Sequence, residues 1–176
     1  MIRCLIREWN LHERSLSDFA LWAIVTYRFG AWLAGLPRGP IRWAAFNVYF
    51  VMAKTVEIVS GIWIGHGAEL GENVHLVHSG NIKIHRDAKV GAGSSIMHDV
   101  TLGMNMGRPG LPQVGENVLI GVGAKLLGGI RIGDGATIAP NSLVITDVPA
   151  GATAMGVPAR MMPGRVRSSK TVLRSV

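Results

Sequence analysis

Two patterns of apolar residues divide the chain. Within the first sixty residues the apolar positions recur at helical spacing: Trp22, Val25, Phe29, Trp32, Leu33 and Leu36 fall on one stripe. That recurrence predicts an amphipathic helix. Ser15-Leu16-Ser17-Asp18 offers oxygen-bearing side chains that can cap free amides, so the helix is expected over 17–35, ending near Gly35-Leu36-Pro37. A second helix is expected over 40–59, closing at Ser60-Gly61. The stripe reads as a helical pair that covers the end of a larger core, or as a contact between subunits.

From Ile64 the pattern changes to a beat of six. The blocks read IGHGAE, LGENVH and LVHSGN; after a slip of two residues they continue IHRDAK, VGAGSS, IMHDVT, LGMNMG, RPGLPQ, VGENVL, IGVGAK, LLGGIR, IGDGAT, IAPNSL and VITDVP. Every block but RPGLPQ opens on Ile, Leu or Val; the second place is often Gly and the fifth often Ala, Val or Ser. A period of six is neither helical nor that of a simple strand. It marks a hexapeptide parallel β-helix, in which three blocks make one triangular coil. The large first residue and the small fifth residue point inward, and glycine serves the turns. Coils stack about 4.8 Å apart, as strands do in a sheet. The expected organisation is a helical segment over 1–60, a β-helix over 61–162 and a tail over 163–176.

Two interruptions break the beat. One is the slip between Ile82 and Ile84. The other is Gly103–Gln113, "GMNMGRPGLPQ", an exit loop two blocks long, after which the beat resumes in phase at Val114. Loops hung on a rigid scaffold often carry function. His78 and His98 are each third in their block and stand twenty residues apart, one coil of eighteen plus the slip. Both should therefore lie on one corner, about 4.8 Å apart. Exposed imidazoles beside an irregular corner are candidates for acid–base chemistry. His12, His66, His75 and His85 read as ordinary surface residues.

Composition narrows the function. Hydrophobic residues make up 48% and charged residues 16%, which argues against disorder. The net charge is +7; the tail carries Arg165, Arg167, Lys170 and Arg174 and no acid, so residues 1–162 keep +3. A solvated basic tail explains this, and so would attraction to a membrane surface, a phosphorylated sugar or a cofactor phosphate. No zinc-finger spacing, RNA-binding aromatic signature or basic helix points to nucleic acid. Cys4 is the single cysteine, so no internal disulfide exists. Phe19–Leu36 contains Arg28, and the run from Trp43 to Ala53 is too short to span a bilayer. Docking on a membrane surface stays open.

"LVHSGNIKIH" (Leu76–His85), "IMHDVTLG" (Ile96–Gly103), "VLIGVGAKLLGGIRIGDGATI" (Val118–Ile138) and "GVPAR" (Gly156–Arg160) carry a resemblance over Gly61–Met162. The chain resembles the serine O-acetyltransferase group of hexapeptide acyltransferases. With its helical front end and "TVEIVSGIWIGHGAELG", it looks most like the short subgroup linked to bacterial polysaccharide O-acetylation, such as colanic-acid-type acetyltransferases. The resemblance implies a mainly β fold, a left-handed parallel β-helix after an N-terminal α-helical segment, in a cytoplasmic homotrimer with ligands between subunits. It implies acetyl-CoA as donor, no metal, and His78 as general base; His98 is a second catalytic candidate. The donor's pantetheine arm would lie along Val122, Gly123 and Lys125, with Arg160 toward a CoA phosphate. Pro140 matches an amide-donating position and has no N–H.

The departures bear on the acceptor. Serine acetyltransferases pair the histidine with an acid where Trp63 stands and carry Asp where Val77 stands. Gly110 and Leu111 occupy the positions of an Arg-His pair. A pocket without those polar partners would bind serine poorly. The expected acceptor is therefore a sugar hydroxyl on a glycan or glycolipid precursor, met by Asp99, Asn105 and Arg108, at the inner face of the membrane if the helices dock there. The alternatives are a serine O-acetyltransferase of cysteine biosynthesis, a γ-type carbonic anhydrase and a non-catalytic β-helix. For the anhydrase, His75 and His98 have suitable spacing, but position 103, where a third ligand is needed, is Gly.

Overall fold

The computed structural model describes residues 19–37 and 39–162; Cys4, His12 and the basic tail lie outside them. The six-residue beat folds as expected into a parallel β-helix with three flat faces. The first face stacks β1 (Trp63–Ile64), β4 (Lys83–Ile84), β7 (Thr101–Gly103), β10 (Lys125–Leu127) and β13 (Leu143–Val144). The second stacks β2 (Glu69–Leu70), β5 (Lys89–Val90), β8 (Gln113–Val114) and β11 (Arg131–Ile132). The third stacks β3 (His75–Val77), β6 (Ser95–Met97), β9 (Leu119–Ile120), β12 (Thr137–Ile138) and β14 (Thr153–Met155), and ends with an antiparallel β15 (Arg160–Met162).

Inward positions follow the block rule. Leu76, Ile84, Ile96, Ile120 and Leu126 from first places, and Ala88, Ala124 and Ala136 from fifth places, are fully buried. Ser94 and Ser142 take fifth places in the same core. The Ser94 hydroxyl donates to the Gly115 carbonyl at 3.0 Å and accepts from the Val118 amide at 3.1 Å. A satisfied hydroxyl is tolerated where a bare one would be costly.

Register fixes where the beat slips. His75 pairs with Ser95 and Trp63 with Lys83, twenty residues on. Lys89 pairs with Gln113, twenty-four on, so the exit loop adds six residues without losing phase. Gln113 pairs with Arg131 at the regular eighteen. Regular corners leave four steps between inward residues, as from Ile96 to Val100; from Leu76 to Ile82 there are six, and all four residues are buried. The two extra residues thus sit in the turn that begins with His78, ahead of Ile82 rather than after it. The last coil is short instead: Thr137 pairs with Thr153 at sixteen, because on the second face Val148 alone bridges to Ile132. The block reading stops at Pro149 and does not foresee this.

The helices are α1 (Phe19–Ala34) and α2 (Pro40–Ser60). α2 starts with Pro at a position needing no N–H, and ends at Gly61 in the left-handed conformation (φ 70°), whose amide donates to the Glu57 carbonyl. Of the expected stripe only Leu33 is fully buried, and the stripe is not the side of α1 that meets the β-helix. Ala20, Ala23 and Ile24 join the β-helix core with Ile62, Ala68 and Leu70, whereas Trp22 and Trp32 are 40% and 45% exposed. Small side chains let the helix approach the first coil, which the indoles would hold away. Two polar tethers set the approach: Tyr27 Oη donates to the Ala68 carbonyl at 2.6 Å, and Arg28 donates to the carbonyls of Leu70 (2.8 Å) and Gly71 (2.6 Å). α2 carries Trp43, Val48, Phe50, Val51 and Ile58 outward. Among the described residues no helix is long and apolar enough to cross a membrane.

A Cβ added at Gly30 would meet the Tyr49 ring at 2.6 Å, so α1 and α2 touch there only because glycine has none. Gly30→Ala should therefore destabilise the hairpin, and Leu126→Ala should lower the unfolding free energy by about 2–5 kcal/mol. Urea denaturation followed by circular dichroism checks both; Lys83→Ala, on the exposed side of β4, should change it little.

Candidate active site

One edge of the prism, between the third and first faces, gathers most of the candidate residues. Its corners are His78–Asn81, His98–Asp99, Val122–Gly123 and Pro140–Asn141, followed by Gly156–Ala159. Backbone bonds stack them: Asp99 N–H to the Gly80 carbonyl (2.9 Å), Gly123 N–H to His98 (3.1 Å), Asn141 N–H to Val122 (2.7 Å) and Leu143 N–H to Gly156 (3.0 Å). Four rungs separate the first corner from the last, about 19 Å at normal strand spacing.

His78 and His98 lie on adjacent rungs as the spacing requires, their ring centroids 6.5 Å apart and tilted by 54°. Both are exposed. In three regular corners the left-handed residue comes second: Asp99 (φ 58°), Gly123 (φ 73°) and Asn141 (φ 54°). In the enlarged corner His78 itself is left-handed (φ 66°), with Asn81 (φ 43°) at the far end. A non-glycine residue in this region is uncommon, and such conformations concentrate at functional sites.

Asp99 is already engaged. Lys125 Nζ donates to its backbone carbonyl and, at 3.1 Å, to Oδ1, and Asn81 Nδ2 donates to the same Oδ1 at 2.7 Å. The Lys125 hydrogen bond first, then that of Asn81, holds the Asp99 carboxyl below its ordinary value near 3.8. A depressed carboxyl stabilises the fold above the ordinary value, and this stabilisation is lost as pH falls through the lowered one. Lys125 is thus bound to Asp99 at the edge where the resemblance places the donor's pantetheine arm. Asn81 escaped sequence reasoning; its signal was an Asn, tolerant of positive φ, inside the slip.

Asn105 and Arg108 are not brought to the histidines. Their loop leaves after β7, at the edge between the first and second faces. Arg108 donates to the Gly129 carbonyl (3.1 Å) and to Asp147 (2.8 Å), and Asn105 Oδ1 accepts from the Gly107 amide at 3.0 Å. Met104 and Met106 stand exposed on the loop. Arg160, exposed in β15, follows the last corner of the histidine edge, opposite Met155. Trp63 and Val77 lie in β1 and β3, and Gly110 (φ 103°) and Leu111 in the loop. Register sets His98 beside His78 rather than His75, and Gly103 ends β7 at the other edge, so the anhydrase spacing gathers no site. Tyr49 Oη and His66 Nδ1 are 2.9 Å apart; burial, then Tyr27, raises the Tyr49 phenol above 10.0. A shallow recess of about 570 Å³ lies on the second face, between Lys89, Gln113, Arg131 and Asp147, away from the histidine edge.

Comparison with known proteins agrees with this architecture. Residues 112–146 match the bacterial transferase hexapeptide family (six repeats). The chain is 34% identical over 117 residues to a serine acetyltransferase of Helicobacter pylori, covering 68% of that protein. It is 36% identical over 151 residues to the serine acetyltransferase of Escherichia coli, and 38% over 112 residues to that of Mycobacterium tuberculosis. The chain spans about half the length of these last two, 52% and 49%. Among solved structures, the serine acetyltransferase of Brucella abortus superposes with a TM-score of 0.79 at 28% identity, covering 94% of this chain and 70% of that one. The same enzyme in complex with coenzyme A gives 0.78 at 28% identity, covering 92% and 67%. The chain belongs to the hexapeptide-repeat transferase family that includes the serine acetyltransferases.

Proposed function

We propose that this chain is an acetyl-CoA-dependent O-acetyltransferase with His78 as general base. The observation that carries the reading is the enlarged corner: His78 is exposed, left-handed and stacked with His98, at the head of an edge lined by turn amides. Neutral imidazole takes the hydroxyl proton as the acceptor oxygen attacks the thioester carbonyl. The tetrahedral intermediate collapses, the C–S bond breaks, and the departing CoA sulfur receives that proton. No covalent enzyme intermediate is needed. Along the edge, the Val122 amide and the Arg160 guanidinium are the donor-binding candidates; the Gly123 N–H is taken by the His98 carbonyl, and Pro140 offers no N–H.

L-Serine is the acceptor the comparisons favour, since the relatives named above are serine acetyltransferases. A sugar hydroxyl of a polysaccharide or glycolipid precursor is the second reading. It rests on Trp63, Val77, Gly110 and Leu111, which stand where the resemblance sets polar groups. In that reading the apolar outer side of α2 is the surface that would meet the inner face of a membrane. A homotrimer suits both readings: within one chain Asn105 and Arg108 leave from a different edge than His78, so an acceptor between copies could meet both.

Release of free CoA thiol from acetyl-CoA decides the acceptor. Turnover with L-serine supports the first reading; silence with serine and turnover with a polysaccharide precursor supports the second. His78→Ala should lower turnover about 10²- to 10⁴-fold and leave the assembly, measured by analytical ultracentrifugation, unchanged. Near-normal turnover would remove His78 from its role. The rate should also fall as acid protonates the base, read from a pH–rate profile.

A further inference from the structure

The helices cover the first coil incompletely. Ile64 opens a block yet is only half-buried, whereas every later aliphatic residue that opens a block, from Leu70 to Val144, is buried. Beside it α1, α2 and β1 leave a cavity of about 210 Å³. Ala23, Thr26 and Ile62 are buried at its deep end; Phe50, Lys54, Trp63 and His66 are exposed and form its rim.

The Thr26 hydroxyl lines this cavity, is buried, and has no partner among the described residues. A helical hydroxyl can bond back to its own helix, as Thr55 does to the Val51 carbonyl at 2.9 Å and Ser60 to Val56 at 2.6 Å. Thr26 does not, and a buried hydroxyl left unmet is costly. The other polar groups are paired with each other: Tyr49 Oη with His66 Nδ1 at 2.9 Å, and Lys54 Nζ donating to Glu57 Oε2 at 2.7 Å. An ion pair this near the surface contributes little, so it opens at low cost. Its two charges cancel.

The walls are aromatic as well as aliphatic. Tyr27, Tyr49, Phe50 and Trp63 border the space, and Tyr49 is itself braced by Phe29 and Phe46, with ring centroids 6.3 and 6.0 Å away. A hydrocarbon chain would leave the Thr26 hydroxyl unmet and strip water from the rim. A charged ligand would find no net opposite charge. A neutral ring with C–H faces and several hydroxyls suits both the aromatic walls and the mixed donors and acceptors. The cavity also adjoins the enlarged corner. The Trp63 amide donates to the Ile82 carbonyl at 2.8 Å, and a Cβ on Gly61 would meet the Asn81 nitrogen at 2.8 Å. Its rim is thus one rung from the turn that begins with His78.

We propose that this cavity is a subsite for one neutral sugar ring, which holds a glycan acceptor beside the histidine corner. The inference deepens the sugar-hydroxyl reading and rests on it for its purpose; binding itself needs no turnover.

The probes are methyl β-glucoside, methyl β-galactoside and N-acetylglucosamine, titrated without acetyl-CoA and followed by ligand-observed NMR. At least one should bind saturably. Ala53→Leu, which fills the cavity from α2, and Trp63→Leu should each weaken that binding about tenfold, and Trp63→Phe should recover most of the loss. Thr26→Val should weaken it about threefold or more and leave the urea midpoint unchanged or raised, since the hydroxyl it removes is unmet in the free protein. Saturable binding of none of the three sugars would overturn the inference. So would binding untouched by both Ala53→Leu and Trp63→Leu, or a Thr26→Val chain of clearly lower stability. If Ala53→Leu disturbs the helices, the Trp63 variants still test the rim, because that residue lies at the surface. Turnover of L-serine alone would remove the glycan reading while sugar binding still tests the cavity. Turnover of a polysaccharide precursor that Ala53→Leu and Trp63→Leu leave unchanged would remove the cavity and keep the reading.

Discussion

The backbone ladder along the histidine edge is the constraint on which the site depends. Each corner is bonded to the one before it, from Asp99 to Gly80, from Gly123 to His98 and from Asn141 to Val122. No side chain at that edge can change rung without breaking bonds on both sides. The inward aliphatic residues supply much of the driving force for coiling, but they are interchangeable in kind. The ladder is what converts a count along the chain into a distance between two imidazoles.

This explains which parts of the molecule were legible in the sequence. The coil was, because Ile, Leu or Val at every sixth place has no other economical reading. The His78–His98 stacking was, because it needed only addition. The exact seat of the slip was not: Ile82 and Ile84 are both apolar, and only their joint burial puts the surplus residues in the turn before them. The Lys125–Asp99–Asn81 cluster was not, since its members are forty-four residues apart at the extremes and a polar residue in a turn has a local explanation ready. The separation of Asn105 and Arg108 from the histidines followed from knowing at which corner the loop leaves, which the block count contained but did not display.

The helical hairpin shows the opposite failure. Its stripe of Trp22, Val25, Phe29 and Trp32 is a strong apolar pattern, yet Ala20, Ala23 and Ile24 make the contact with the coil. Periodicity finds an apolar side; it does not say what will cover it. Close approach favours small residues, and the Tyr27 and Arg28 tethers, bonded to main-chain carbonyls of the first coil, choose the face. Large aromatic residues are left outside. Eleven of the seventeen large hydrophobic side chains exposed among the described residues belong to these two helices, so the apolar surface is concentrated at one end of the molecule.

The coil lengths of twenty, twenty-four, eighteen and sixteen residues share one arithmetic property: all are even. Strand side chains alternate between inside and outside, so an odd change within a strand would turn its core residues to solvent, whereas a change by two restores them. The chain keeps parity where it abandons period. A repeat search that demands eighteen loses its place at each irregular corner, but one that follows alternation alone would trace the same inside from Ile62 to Ala154.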